Sequence, residues 1–230
     1  MNEERFFRSA ALLGEAAFAR LRATQVVVVG VGGVGGWCAE ALARSGVGRL
    51  VLVDDDVVAA SNLNRQCCAL AATLGEPKVE AMKARLKAID PALEVIALRR
   101  RWEETTEIGS LPIDLAVPTV VVDAIDSVAC KAQLILSVTA AGLPLLSSLG
   151  AAKRLDPTKV GLKRFSKVEG DGLARALRQR FKKLGRYPSA DFRCAVSSEP
   201  PAPIATLGSM MPVTAAFGLA LASAVIRPDV

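Results

Sequence analysis

The chain of 230 residues carries 29 Lys/Arg against 23 Asp/Glu, a formal net charge of +6, with 51% hydrophobic residues. That composition excludes a chain disordered along its length, and the length suits one α/β domain or two small ones. With five cysteines (Cys38, Cys67, Cys68, Cys130, Cys194), no C-x-x-C pair and no histidine, a disulfide framework and the usual zinc sites are excluded, and a reducing, intracellular compartment is expected.

Residues 1–24 open with "MNEERFFRSAALLGEAAF". Early acids and charges throughout make this a poor secretory signal. The segment is expected to be an arginine-bearing helix.

Residues 25–150 alternate apolar runs, "QVVVVG", "RLVLVD", "LEVIAL", "PTVVVDA" and "PLLSSLG", with helical stretches near 34–46, 77–89 and 128–142. Short continuous β-branched runs suit parallel strands buried on both faces, and their alternation with helices predicts a Rossmann-like, doubly wound, mainly parallel sheet with flanking helices. The first run leads into "GVGGVGG", whose Gly30, Gly32, Gly33 and Gly35 join a strand to a helix. Glycines there permit a tight turn and let backbone amides approach a phosphate at the positive helix N-terminus. Asp54 ends the second strand, where an acid accepts hydrogen bonds from ribose hydroxyls. These features fit a nicotinamide dinucleotide and ATP equally.

The stretch "DDDVVAASNLNRQ" then places Asn62, Arg65 and Gln66 close together, with Lys78 opening the next helix. A triphosphate calls for such cations more than a dinucleotide pyrophosphate held by amides does. The fourth strand ends in "VVVDAIDS", bringing Asp123 and Asp126 to the carboxyl edge of the sheet, where open α/β sheets bind ligands. Asp126 is read either as a Mg²⁺ ligand beside phosphate oxygens or as a plain helix N-cap.

Residues 151–203 are expected to form a basic C-terminal extension with a strand, one helix and a long crossover loop. Lys153 to Arg186 holds 12 Lys/Arg (Lys153, Arg154, Lys159, Lys163, Arg164, Lys167, Arg175, Arg178, Arg180, Lys182, Lys183, Arg186) against 3 acids. Such a run is a solvated face or a surface for a polyanion. Residues 204–230 supply an apolar helix. Ile204–Ile226 carries no charge and is long enough to span a bilayer. Gly208, Pro212, Gly218 and many small residues point instead to a buried or dimer-facing helix starting near Pro212, without stable membrane insertion.

The stretches "GVGGVGG", "LVDDDVVAASNLNRQ", "GEPKVEA" and "DAIDS" together resemble the ubiquitin-activating-type (E1-like, ThiF/MoeB) adenylating superfamily. Within it, "RFFRSAALLGEAAF", "VVDAIDSVACKAQLI", "GLPLLSSLGAAKRLDPTKV" and "CAVSSEPP" look most like the tRNA threonylcarbamoyladenosine dehydratase branch. The resemblance implies ATP and Mg²⁺ as cofactors. Asp54 binds ribose, Arg65 and Lys78 bind the triphosphate, and Asp126 holds Mg²⁺; Asn62, Gln66, Asp56, Asp123 and Lys131 complete the nucleotide set. Arg8, with Arg5 second, matches the arginine that reaches the partner's ATP in a homodimer with a shared site. Cys194 matches a family cysteine, read as either a thioester former or a loop cysteine without chemistry. The implied reaction is adenylation of the threonylcarbamoyl carboxylate on a tRNA adenosine, then ring closure with loss of water. The basic stretch Lys153 to Arg186 would face tRNA, and a sulfur-handling or carrier protein is an assisting partner to consider. The rival readings are activation of a ubiquitin-like sulfur carrier, an NAD-linked oxidoreductase, and a non-catalytic scaffold.

Overall fold

A computed structural model describes residues 2–227. Its centre is a seven-stranded sheet in the order β3-β2-β1-β4-β5-β7-β6. The strands are β1 (Gln25–Val29), β2 (Arg49–Val53), β3 (Glu94–Leu98), β4 (Thr119–Asp123), β5 (Leu145–Ser148), β6 (Val160–Arg164) and β7 (Arg193–Ser197). All neighbours run parallel except the antiparallel pair β6/β7 at the edge.

Strand periodicity sorts the core into two layers. Val26, Val28, Leu50 and Leu52 face one side, where α3 (Gly35–Ser45), α4 (Lys78–Ile89) and α7 (Met211–Ile226) pack. Val27, Val29, Val51 and Val53 face the other, under α5 (Val128–Ala140) and α6 (Gly172–Leu184). Successive side chains of a strand alternate sides, so a run such as Val26–Val29 must be apolar throughout to serve both layers. The doubly wound architecture expected from the alternating pattern is the one observed.

The opening residues form α1 (Asn2–Leu13) and α2 (Glu15–Ala23). Asp90, at the end of α4 and with its side chain only 1% exposed, accepts Arg5 and lies 3.5 Å from Arg22. Arg22 also stacks 5.4 Å from the Phe6 ring centroid. These contacts moor the arginine-bearing segment to the helical layer.

Residues 151–203 are less of an appendage than the sequence suggests. They supply β6, α6 and β7, and β7 is inserted between β5 and β6. The strand "RCAVS" escaped notice because five residues with a leading arginine make a weak pattern. Helix α6 starts at Asp171, which accepts from the Ala174 amide, and stops at Gly185 in the left-handed region (φ 62°). Helix α7 begins at Met211, one residue before Pro212, and is largely buried. Residues 228–230 of the expected C-terminal segment lie outside the described residues. Among the described residues no helix is long and apolar enough to cross a membrane.

Helix α7 crosses α3 closely at Gly218, where a Cβ would sit 2.5 Å from the Val34 carbonyl oxygen. Gly218→Ala is therefore expected to lose about 1–3 kcal/mol of stability through overpacking. A lowered thermal midpoint checks this, and an unchanged one contradicts the packing.

Candidate functional site

The carboxyl ends of β1, β2, β4 and β5 open onto one cleft. Its lining includes Gly30, Gly32, Gly33, Asp54, Asp56, Asn62, Arg65, Gln66, Lys78, Asp126 and Ser148. Most of the expected nucleotide set thus converges from four separate stretches of sequence.

The glycine turn is sterically obligatory. Gly30 has φ 91°, and a Cβ there would lie 2.7 Å from the Ala124 carbonyl oxygen. A Cβ on Gly35 would fall 1.9 Å from the Gly30 carbonyl oxygen. Gly32 and Gly33 donate to no acceptor among the described residues, and Val34 caps α3 without a side-chain hydrogen bond. The positive end of α3 therefore presents amides to the cleft, the arrangement that holds phosphate.

Asp54 is oriented by this turn. Its Oδ2 accepts from the Val31 amide at 2.6 Å and its Oδ1 from the Asp56 amide at 2.9 Å. Burial pushes its carboxyl above the usual range, against the pull of Lys78. Lys78, with its side chain 7% exposed, places Nζ 2.6 Å from Asp56 Oδ2. Asp56 is thus the counter-ion of Lys78 at the cleft wall.

Asn62 closes a short helical turn by accepting from the Ala59 amide at 3.0 Å. Arg65 and Gln66 follow, their amides donating to the Asn62 carbonyl. Arg65 is tied to the Ser61 carbonyl (3.0 Å) and Asn64 Oδ1 (2.9 Å), while Trp37 Nε1 donates to the Arg65 carbonyl at 2.9 Å. Gln66 is buried and its Oε1 has no partner among the described residues, which fits a group waiting for a donor from a ligand. Asp126 also lines the cleft and is exposed, with no side-chain hydrogen bond or ion pair among the described residues. The N-cap of α5 is Ser127, so Asp126 is not the cap.

Four expectations need correction. Asp123 and Lys131 do not line the cleft. Both side chains are fully buried and paired to each other at 2.8 Å, because Asp123 ends β4 in register with Ser147 and points at α5 rather than outward. Cys194 is neither a loop residue nor exposed: it lies in β7, beside Ser147, with 0% exposure. Burial raises its thiol pKa far above the ordinary value, so no thiolate is available there for acyl transfer. The run Lys153 to Arg186 is not all surface. Arg154 is buried against Asp171 and the Gly150 and Glu199 carbonyls, Arg178 binds the Phe165 and Val168 carbonyls, and Lys153 donates to the Ile204 carbonyl at 2.6 Å. Arg180 pairs with Glu104. Lys159, Lys163, Arg164, Lys167, Arg175, Lys182, Lys183 and Arg186 remain exposed.

Arg8 is exposed on α1 and does not line this protomer's cleft, whereas Arg5 is engaged by Asp90. Cys67 and Cys68 pack inside the α3/α4 layer, with the Cys67 thiol pushed up to about 12 by burial. Sequence reading missed Arg100, Arg101 and Trp102, which line the cleft just after β3. The run of three arginines ending in tryptophan was the available signal. It also missed Cys130, Gly150 and Thr214, whose separate positions gave none.

A doubly wound sheet whose glycine turn, buried aspartate, cationic pair and free carboxylate share one cleft defines a nucleotide-binding class of protein. Residues 6–227 match the model of the ThiF family, and the chain belongs to that family. It is 42% identical over 180 residues to a Bacillus subtilis tRNA threonylcarbamoyladenosine dehydratase, covering 78% of this chain and 70% of that one. It is 38% identical over 136 residues to the Escherichia coli molybdopterin-synthase adenylyltransferase, covering 59% of this chain and 52% of that one. Among solved structures, the E. coli tRNA N6-threonylcarbamoyladenosine dehydratase in complex with ATP superimposes with a TM-score of 0.91 at 33% identity. That match covers 98% of this chain and 93% of the other.

The position of Asp54 generates a pH prediction. Its folded pKa is raised, so the folded chain holds this proton more tightly than the unfolded one, and the residue costs stability as pH rises past the ordinary carboxylate value. The resemblance implies that Asp54 accepts from ribose hydroxyls, and the ionised carboxylate is the stronger acceptor. AMP affinity is expected to fall on acidification at a pH above the ordinary carboxylate range, and Asp54→Asn should bind weakly with that dependence removed. Titration of AMP binding against pH checks both.

Proposed function

We propose that this chain is an ATP-dependent tRNA-modifying enzyme that adenylates the carboxylate of N6-threonylcarbamoyladenosine in tRNA and drives its cyclisation with loss of water. The observation that carries the reading is the cleft itself, whose lining brings Arg65, Lys78 and the unpartnered Asp126 together with the glycine turn at the open end of α3. The relatives named dehydratases support the substrate assignment.

A carboxylate is a poor acyl donor because its leaving group is oxide or hydroxide. Attack of one carboxylate oxygen on the α-phosphorus of ATP expels pyrophosphate and leaves an acyl-adenylate. An internal nucleophile of the modified base then adds to the activated carbonyl and expels AMP, which carries away the attacking oxygen. The protein's part is positioning and charge neutralisation. Asp54 fixes the ribose, and the α3 amides with Arg65 and Lys78 neutralise the phosphates. Asp126, an exposed carboxylate with no competing partner, fits a hard cation. Mg²⁺ held there would supply charge to the phosphate oxygens.

Two further parts of the reading extend beyond one protomer. Arg8, exposed and unpaired among the described residues, is available to a second copy's cleft in a homodimer. The exposed cations of Lys159 to Arg186 suit tRNA phosphates, with binding that weakens as salt rises. We place the enzyme in the cytoplasm with its tRNA.

ATP–pyrophosphate exchange with Mg²⁺ tests the function. Exchange is expected with threonylcarbamoyl-modified tRNA and not with the same tRNA lacking the modification. Asp126→Ala is expected to reduce it by about 100-fold or more. Exchange that instead requires a ubiquitin-like carrier protein would replace this reading with carrier activation.

A further inference from the structure

A fully buried ion pair adjoins the cleft without opening onto it. Asp123 and Lys131 are both 0% exposed, with Nζ 2.8 Å from Oδ2. Such a pair repays its desolvation only when additional hydrogen bonds complete it. Here those bonds converge on one residue. The Ile125 amide donates to Asp123 Oδ1 at 3.2 Å, and Lys131 Nζ donates to the Ile125 carbonyl at 2.8 Å. Ser147 Oγ locks the carboxylate by donating to Oδ2 at 2.7 Å.

The peptide that Lys131 grips is the one joining Ile125 to Asp126. One residue earlier, Ala124 is pinned on both sides. Its amide donates to the Val29 carbonyl at 2.8 Å, and its carbonyl oxygen sits against Gly30, where only glycine fits. Asp126 itself has no side-chain partner among the described residues, so its place in the cleft is set by this main chain. Lys131 is fixed in turn by the first turn of α5, its amide donating to the Ser127 carbonyl at 2.8 Å.

We propose that Lys131 is a positioning residue that acts through the Ile125 carbonyl to hold the Asp126 carboxylate where it meets the metal and the nucleotide phosphates. The proposal rests on the reading of Asp126 given above. Lys131 touches neither nucleotide nor substrate. It differs in this from Lys78, whose ammonium lies at the cleft wall.

Lys131→Met alone would leave Asp123 buried and uncompensated, so both charges are removed together. Asp123→Asn keeps Lys131 and its bond to the Ile125 carbonyl but leaves the buried ammonium without its counter-ion, a cost that the thermal midpoint reads; adding Lys131→Met removes that bond and the buried charge together. The readouts are Mg²⁺-dependent ATP binding, AMP binding without metal, and thermal midpoint, all on the full chain. Asp123→Asn is expected to keep the wild-type Mg²⁺ dependence. The double variant should need about tenfold more Mg²⁺, or beyond, for half-maximal ATP binding, the usual scale for losing a group that orients a ligand. Its AMP affinity should remain that of the wild type.

A double variant with wild-type Mg²⁺ dependence overturns the proposal and leaves the pair purely structural. ATP binding by the wild type that ignores Mg²⁺ overturns it as well. Should the double variant not fold, Asp123→Leu with Lys131→Met carries the same outcomes with a wholly apolar replacement. Failure of the tRNA reading is seen separately, as Mg²⁺-dependent ATP binding by the wild type without exchange on modified tRNA.

Discussion

The close approach at Gly30 is the constraint on which the rest of the site depends. Its backbone must pass within contact of Ala124 from the β4 loop and of Gly35 at the head of α3, and no side chain fits at either point. That single crossing draws together the turn after β1, the start of α3 and the loop carrying Asp126. The Val31 amide one residue on then captures Asp54 from β2. The amides at the head of α3, Asp54 and Asp126 are thus aligned by one steric fact, and the parallel sheet keeps them at a common edge.

Around that frame the opposite charges are only partly paired. Arg65 is held by carbonyl and amide oxygens, and Lys78 by an exposed aspartate, so both keep their charge facing the cleft wall. Asp126 stands apart from them. Arg154, buried against Asp171, is fully paired and stabilises the β5–β6 region. Such pairing accounts for why a basic tail contributes fewer free cations to the surface than its composition suggests.

Much of this is legible in the sequence. Strands β1 to β5 and the helices between them follow from apolar runs and their spacing, most clearly where a strand is buried on both faces, as β1 is. Gly30, Asp54, Arg65, Lys78 and Asp126 were legible as a motif set, and they meet in one cleft. What was not legible depended on direction. Asp123 and Asp126 sit three residues apart on one strand end, yet one points into the protein and the other out, and a sequence cannot state which. Cys194 looked like a loop residue because β7 is short, and its inertness follows from burial by neighbouring strands. Arg100, Arg101 and Trp102 were overlooked because a basic run after an edge strand has no motif until β3 is seen beside β2.

The central claim is that a carboxylate oxygen of the modified nucleoside attacks the α-phosphorus of ATP. The measurement that tests it most directly is isotope transfer: tRNA carrying a heavy oxygen isotope in the threonylcarbamoyl carboxylate is turned over once with ATP, and the released AMP is weighed. The account predicts the label in AMP and none in pyrophosphate. Unlabelled AMP formed alongside cyclised tRNA would contradict it.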